Sequence, residues 1–141
     1  MDTTTDSTTA RRHGRAVFHI ADLFELVAEA IPDRPALVGG DHRLTYGELD
    51  ERSNRLANHL IANGLEPGAT ISIYAWNRTE WVESLFGAYK ARAIPINVNY
   101  RYLADELRYI LDDSKSEALM FETVYEVPVA PSIALPSRYH W

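Results

Sequence analysis

Between Ile20 and Glu122 the chain switches repeatedly between two hydrophobic periods. Leu23, Phe24, Val27, Ala28 and Ile31 recur at helical spacing and Pro32 closes the segment, which predicts a helix over Ile20 to Ile31. Pro35-Ala36-Leu37-Val38 reads as a short strand, and Gly39-Gly40-Asp41 is turn chemistry ahead of Arg43-Leu44-Thr45. Those two runs predict a hairpin. Thr45 and Glu48 stand at capping-box spacing, where the hydroxyl takes an orphan amide and the carboxylate reaches back. Behind them Tyr46, Leu49, Ser53, Leu56, Ala57, Leu60 and Ile61 share one helical face, and Gly64 marks its stop.

The alternation continues. Ala69 to Tyr74 is a strand, and Asn77 and Glu80 repeat the capping pattern at the head of another helix. The predicted buried stripe of that helix is Trp81, Leu85, Ala88 and Tyr89, with Val82 and Phe86 alongside. Ala93 to Val98 is a strand with Pro95 near its start, a tolerable position. Leu103, Leu107, Ile110 and Leu111 mark a helix ending around Asp112-Asp113-Ser114, and Glu117 to Glu122 is the last strand. Helices alternating with short apolar strands predict an α/β fold, a partial layered βαβ sheet with parallel strands.

The ends differ. Residues 1–16 read as a disordered lead of Thr, Ser and Asp with a basic cluster at Arg11, Arg12 and Arg15, taken as solvated charge rather than a contact for a membrane or an acidic partner. From Val127 onward Pro128, Pro131 and Pro136 interrupt any period, so 126–141 is expected to be an irregular tail. The organised region is then 17–125.

Composition narrows the classes. A chain of 141 residues has room for one domain and a real core. Its net charge of -6 leaves no basic footprint for nucleic acid. With no cysteine, disulfides and thiolate metal sites are excluded, which fits a cytoplasmic protein. No apolar run is long enough to span a bilayer, and the first residues lack a signal peptide's apolar centre.

Candidate chemistry is sparse. There is no glycine run leading to Lys and Ser/Thr and no three-glycine dinucleotide fingerprint; Gly39-Gly40 is a turn. His13, His19, His42, His59 and His140 are scattered without metal-ligand spacing. Asp112-Asp113 reads as a solvated helix end. Trp76, Trp81, Tyr89, Tyr100, Tyr102 and Tyr109 read as core or subdomain-contact aromatics rather than a stacking surface. Lys90 and Arg92 read as a solvated helix terminus suited to the macrodipole. A phospho-acceptor domain would need acids clustered at strand ends, whereas strands here end in Val38-Gly39, Tyr74-Ala75 and Val98-Asn99. No catalytic, cofactor-binding or metal-ligating residue is assigned.

Two motifs carry a resemblance. Leu44-Thr45-Tyr46-Gly47-Glu48-Leu49 opens the long helix, and Tyr89-Lys90-Ala91-Arg92-Ala93-Ile94-Pro95-Ile96-Asn97-Val98-Asn99 runs from helix into strand. With Asn77-Arg78-Thr79-Glu80-Trp81 between them and Tyr100-Arg101-Tyr102 after, the succession from about Phe18 to Tyr125 resembles the start of the large N-terminal domain of AMP-forming acyl-CoA synthetases, in their fatty-acid-activating branch.

The resemblance implies a ligase that converts ATP and a carboxylate into an acyl-adenylate and passes the acyl group to CoA. ATP, Mg2+ and CoA are thereby implied for the full-length family, and no cofactor for this chain. The resembled region is scaffold: the family's phosphate loop, its adenine and ribose segments and its mobile lysine have no counterpart here, so no catalytic residue carries over. Two features depart from the family. Arg92 stands where it usually has Gly, which strains the turn if that position needs a positive φ, and the segment from Pro131 fits no continuation. The resulting expectation is a truncated or frameshifted ligase piece, inactive alone. It would be completed by the remainder of the ligase or a complementing chain, and prone to self-association through exposed Trp81, Phe86, Tyr89 and Tyr109. The alternative is a stand-alone α/β binding or interaction module without chemistry.

Overall fold

The computed structural model describes residues 18–125 and 137–140. The elements are α1 (Ile20–Ala30), β1 (Pro35–Gly39), β2 (His42–Thr45), α2 (Tyr46–Ala62), β3 (Thr70–Tyr74), α3 (Thr79–Lys90), β4 (Ile94–Val98), α4 (Ala104–Asp113), β5 (Ala118–Phe121) and β6 (Ser137–His140). A single 3-10 turn, Thr123–Tyr125, follows β5. The expected lead at 1–16 and most of the expected tail at 126–141 lie outside the described residues. Within that tail, however, Ser137–His140 forms a strand paired in parallel with β5, a long-range pairing that local period cannot signal.

Caps start the first two helices. At α2 the Thr45 hydroxyl accepts from the Glu48 amide at 3.2 Å, and the Glu48 carboxylate accepts from the Thr45 amide at 2.8 Å, as the sequence predicts. At α1 His19 takes the same role, its Nδ1 accepting from Ala21 N–H at 3.2 Å while Asp22 accepts from His19 N–H at 3.0 Å. The cap expected from Asn77 is absent: α3 begins after Arg78 with no side-chain cap, and Glu80 is engaged by the Arg78 guanidinium instead.

β1 and β2 form the expected antiparallel hairpin, with Leu37 opposite Leu44 and Gly39 opposite His42. The main sheet has the order β4-β3-β5-β6 with every pair parallel. Along β3 the side chains alternate between faces, as a pleated strand requires. Ile71 joins Ala118 and Met120 against Ala57 and Leu60 of α2 and Ala88 of α3. Tyr74 joins Leu119, Phe121 and Val98 against Leu107 and Leu111 of α4. Helices thus cover both sides of the sheet, which is why β3 and β5 are buried almost throughout, Ser72 included.

The contact between α2 and α3 departs from the predicted stripe. Ser84, Gly87 and Ala88 are the buried residues of α3, while Trp81, Leu85 and Tyr89 are half-buried. Small residues let the helices approach: a Cβ on Gly87 would lie 2.6 Å from Leu56 Cδ2 and 2.8 Å from its Cγ. Gly47 of the Leu44–Leu49 motif is similarly close-packed, its hypothetical Cβ 3.3 Å from the Pro32 carbonyl oxygen, to which its N–H donates at 2.9 Å. On α1 only Ala21, Phe24 and Ala28 are buried. The predicted core residues Leu23 and Ile31 are exposed because α1 meets α2 and α3 along one narrow face.

Candidate functional site

In an open parallel sheet the chemistry collects beyond the carboxyl ends of the strands, where the strand order reverses. Here β3 is followed by β4 on one side and then, through α4, by β5 on the other. The reversal therefore lies between the ends of β3 and β5. Three loops meet at that edge: Ala75–Arg78 after β3, Asn99–Leu103 after β4, and Glu122 after β5.

Glu122 organises the edge. It is 7% exposed, with Oε1 accepting from the Trp76 amide at 2.8 Å and Oε2 from Arg78 Nη1 at 3.2 Å. The other side of the same guanidinium grips Glu80, Nε to Oε2 at 2.6 Å and Nη2 to Oε1 at 2.9 Å. That fork, together with the Thr79 hydroxyl donating at 3.0 Å, holds the Glu80 carboxyl at a pKa of about 2, and Glu80 in turn raises that of Arg78. Trp76 stacks on Tyr100 with ring centroids 4.0 Å apart, and the Arg101 guanidinium lies 5.3 Å from the Tyr100 centroid. Tyr74 OH donates to the Tyr102 carbonyl at 2.7 Å, tying β3 to the loop after β4; burial pushes this phenol's pKa up, with a smaller push from Glu106.

Beside this clamp lies a recess of about 320 Å³ lined by Asn77, Asn97, Asn99, Tyr100 and Tyr102. A second, of about 310 Å³, separates β1 from the start of α3. Both Glu122 oxygens are engaged and Arg78 is shared between two carboxylates. The edge therefore positions its loops and leaves no acid or base of this clamp free for proton transfer. Among the described residues no group of three or more His, Asp or Glu could hold a metal ion.

His19 caps α1, and His42 and His59 are exposed. Trp81 and Tyr89 are half-buried, and Phe86 stacks on Phe24 with centroids 4.0 Å apart. Of the four aromatics expected at the surface only Tyr109 is exposed. Lys90 is not a solvated helix end. Its side chain is 3% exposed, with Nζ 2.5 Å from Glu25 and 2.9 Å from Asp50. Arg92 adopts φ 59°, the left-handed conformation suspected from the family's Gly, and pairs with Asp22 at 2.7 Å. Glu122, expected as the last residue of the final strand, instead follows it and anchors the neighbouring loop; an acid at the end of the apolar run Ala118–Phe121 is the sequence signal for it.

Residues 24–137 match the family model described as AMP-binding enzyme. The chain is 48% identical over 112 residues to the medium/long-chain-fatty-acid–CoA/3-oxocholest-4-en-26-oate–CoA ligase of Mycobacterium marinum, covering 79% of this chain and 20% of that protein. It is 46% identical over 112 residues to the 3-oxocholest-4-en-26-oate–CoA ligase of Rhodococcus rhodochrous, with the same coverage of 79% and 20%. The chain thus spans about a fifth of the length of these curated relatives. In fold it superposes on the N-terminal domain of FACL13 from Mycobacterium tuberculosis with a TM-score of 0.80 at 24% identity, covering 87% of this chain and 34% of that one.

Proposed function

Because the chain belongs to the AMP-binding enzyme family and corresponds to the N-terminal part of an acyl-CoA synthetase, we propose that it serves as the supporting layer of an ATP-dependent ligase that joins a carboxylate to CoA through an acyl-adenylate. The acid is one carried on a large apolar body, a medium- or long-chain fatty acid or a sterol side-chain acid, by analogy with the relatives' names. The observation that carries this reading is the 48% identity maintained over 112 residues. The closed polar clamp at the sheet edge supports a scaffold role, since its charged groups are spent on one another.

ATP, Mg2+ and CoA are then used by the whole ligase, whose remaining polypeptide is the principal partner, and the setting is cytoplasmic. No helix among the described residues is long and apolar enough to cross a membrane. The scaffold reading predicts that the supporting layer forms acyl-CoA only together with the rest of the ligase.

The test is a graft. Residues 18–125 replace the matching segment of the Mycobacterium marinum ligase, and acyl-CoA formation is measured with ATP, Mg2+, CoA and either class of acid. The graft is expected to keep activity. A folded graft without activity argues against the reading, and acyl-CoA made by the 141-residue chain alone overturns the scaffold assignment.

A further inference from the structure

The Glu122 carboxylate, buried just past the end of β5, grips a loop that packing does not hold. It accepts from the Trp76 amide at 2.8 Å and from Arg78 Nη1 at 3.2 Å, near the two ends of the loop after β3. Trp76, Asn77 and Arg78 are all exposed. The Trp76 indole in turn stacks on Tyr100 of the loop after β4, with centroids 4.0 Å apart. One carboxylate beyond β5 thus orders a tryptophan beyond β3, and that tryptophan orders a tyrosine beyond β4.

Stability does not account for this chain of contacts. Taking a carboxylate out of water is costly, and a buried ion pair is often no more stabilising than apolar packing of the same volume. The residue it holds is not drawn into the core either: Trp76 is 51% exposed, although tryptophan is among the more buried side chains on average. What the carboxylate supplies is orientation. The Tyr74 hydroxyl ties the loop after β4 a second time, through the Tyr102 carbonyl. These loops stand at the carboxyl edge of a parallel sheet, beside the reversal of strand order, where ligands bind in such folds. Loops fixed in advance spare a substrate the cost of ordering them.

We propose that Glu122 is a positioning residue of the ligase, setting through Trp76 and Tyr100 the loops over which one of its substrates binds. This rests on the ligase reading above.

The first half of the test uses the 141-residue chain labelled with 5-fluorotryptophan. The Trp76 fluorine resonance is assigned by its loss in Trp76→Phe, and the ring-current contribution of Tyr100 is read from Tyr100→Leu. Glu122→Ala removes both acceptor oxygens and should move the Trp76 resonance toward its place in Tyr100→Leu, with the Trp81 resonance on α3 unmoved as the sign of an intact fold. Glu122→Gln keeps an acceptor for the Trp76 amide and should move it less. A Trp76 resonance indifferent to both changes overturns the proposal.

The second half uses the graft of residues 18–125 in the Mycobacterium marinum ligase. There Glu122→Ala should raise KM for one of ATP, the acid and CoA about tenfold, the loss of one hydrogen bond to a charged group, and leave the other two KM values in place. Trp76→Ala should raise the same KM, and the double variant should add little to either single change. A fall in kcat with all three KM values unchanged, or strictly additive effects, overturns the proposal and leaves Glu122 a contributor to stability alone. An inactive unmodified graft counts against the ligase reading instead, while the fluorine shift still decides whether Glu122 places Trp76.

Discussion

The Lys90 ammonium lies 2.5 Å from the Glu25 carboxylate, joining the end of α3 to α1 across 65 residues of sequence. Asp50 of α2 approaches the same ammonium at 2.9 Å, and the Phe24 ring lies 5.8 Å from it. One buried cation thereby pins three helices. Lys90→Met keeps most of the stem and removes the charge, leaving Asp50 facing an apolar neighbour. The expected loss is about 3 kcal/mol in urea unfolding. Glu25→Gln, on the more solvated partner, should cost about 1 kcal/mol or less. Equal effects would contradict the asymmetry in burial.

Arg92 combines a positive φ with an ion pair to Asp22 on α1. A side chain in the left-handed region costs about 1 kcal/mol, and a half-exposed pair returns up to about as much. Arg92→Gly should therefore be near-neutral. Arg92→Ala keeps the strain and loses the pair, so it should be less stable than Arg92→Gly by about 1 kcal/mol. Thermal melts of both variants decide this, and Ala matching Gly would count against the strain.

Gly87 has no room for a side chain, because a Cβ there would sit 2.6 Å from Leu56 Cδ2. Gly87→Ala should destabilise by about 1–3 kcal/mol through overpacking between α2 and α3. Adding Leu56→Ala should recover part of that loss. Strict additivity of the two changes would show that the contact is not the cause.

Glu80 titrates at about 2 in the folded protein against an ordinary 4.5, chiefly because the Arg78 guanidinium binds its carboxylate. A depressed folded pKa means the unfolded chain takes up the proton first. The stabilisation is thus present above about 4.5 and lost as pH falls toward about 2. Glu80→Gln should be less stable than the unmodified protein at neutral pH, and the gap should close across that window. A gap independent of pH would remove the ion pair as its source.

Much of the architecture was legible locally. The helical and alternating periods marked α1 through β5, Thr45 and Glu48 announced the cap of α2, and Gly39 to Asp41 announced the hairpin turn. These features depend on neighbours a few residues apart, which is the distance over which a pattern in sequence is physically coupled. The two motifs spanning Leu44–Leu49 and Tyr89–Asn99 also carried the family resemblance, and the helix-to-strand turn at Arg92 was flagged by the residue it replaces.

What needed the tertiary structure was every relationship between distant side chains. Lys90 has the profile of a surface residue until α1 and α2 bring Glu25 and Asp50 to it. Glu122 looks like an ordinary strand-end acid until β5 settles beside β3 and presents it to Trp76 and Arg78. Bulky residues of α3 were expected inside, yet the close approach of α2 selects Ser84, Gly87 and Ala88 for burial. The strand order β4-β3-β5-β6 and the pairing of Ser137–His140 likewise belong to the assembled sheet. Period reports which face of an element is apolar, whereas burial, ion pairing and strand order depend on which other element arrives there.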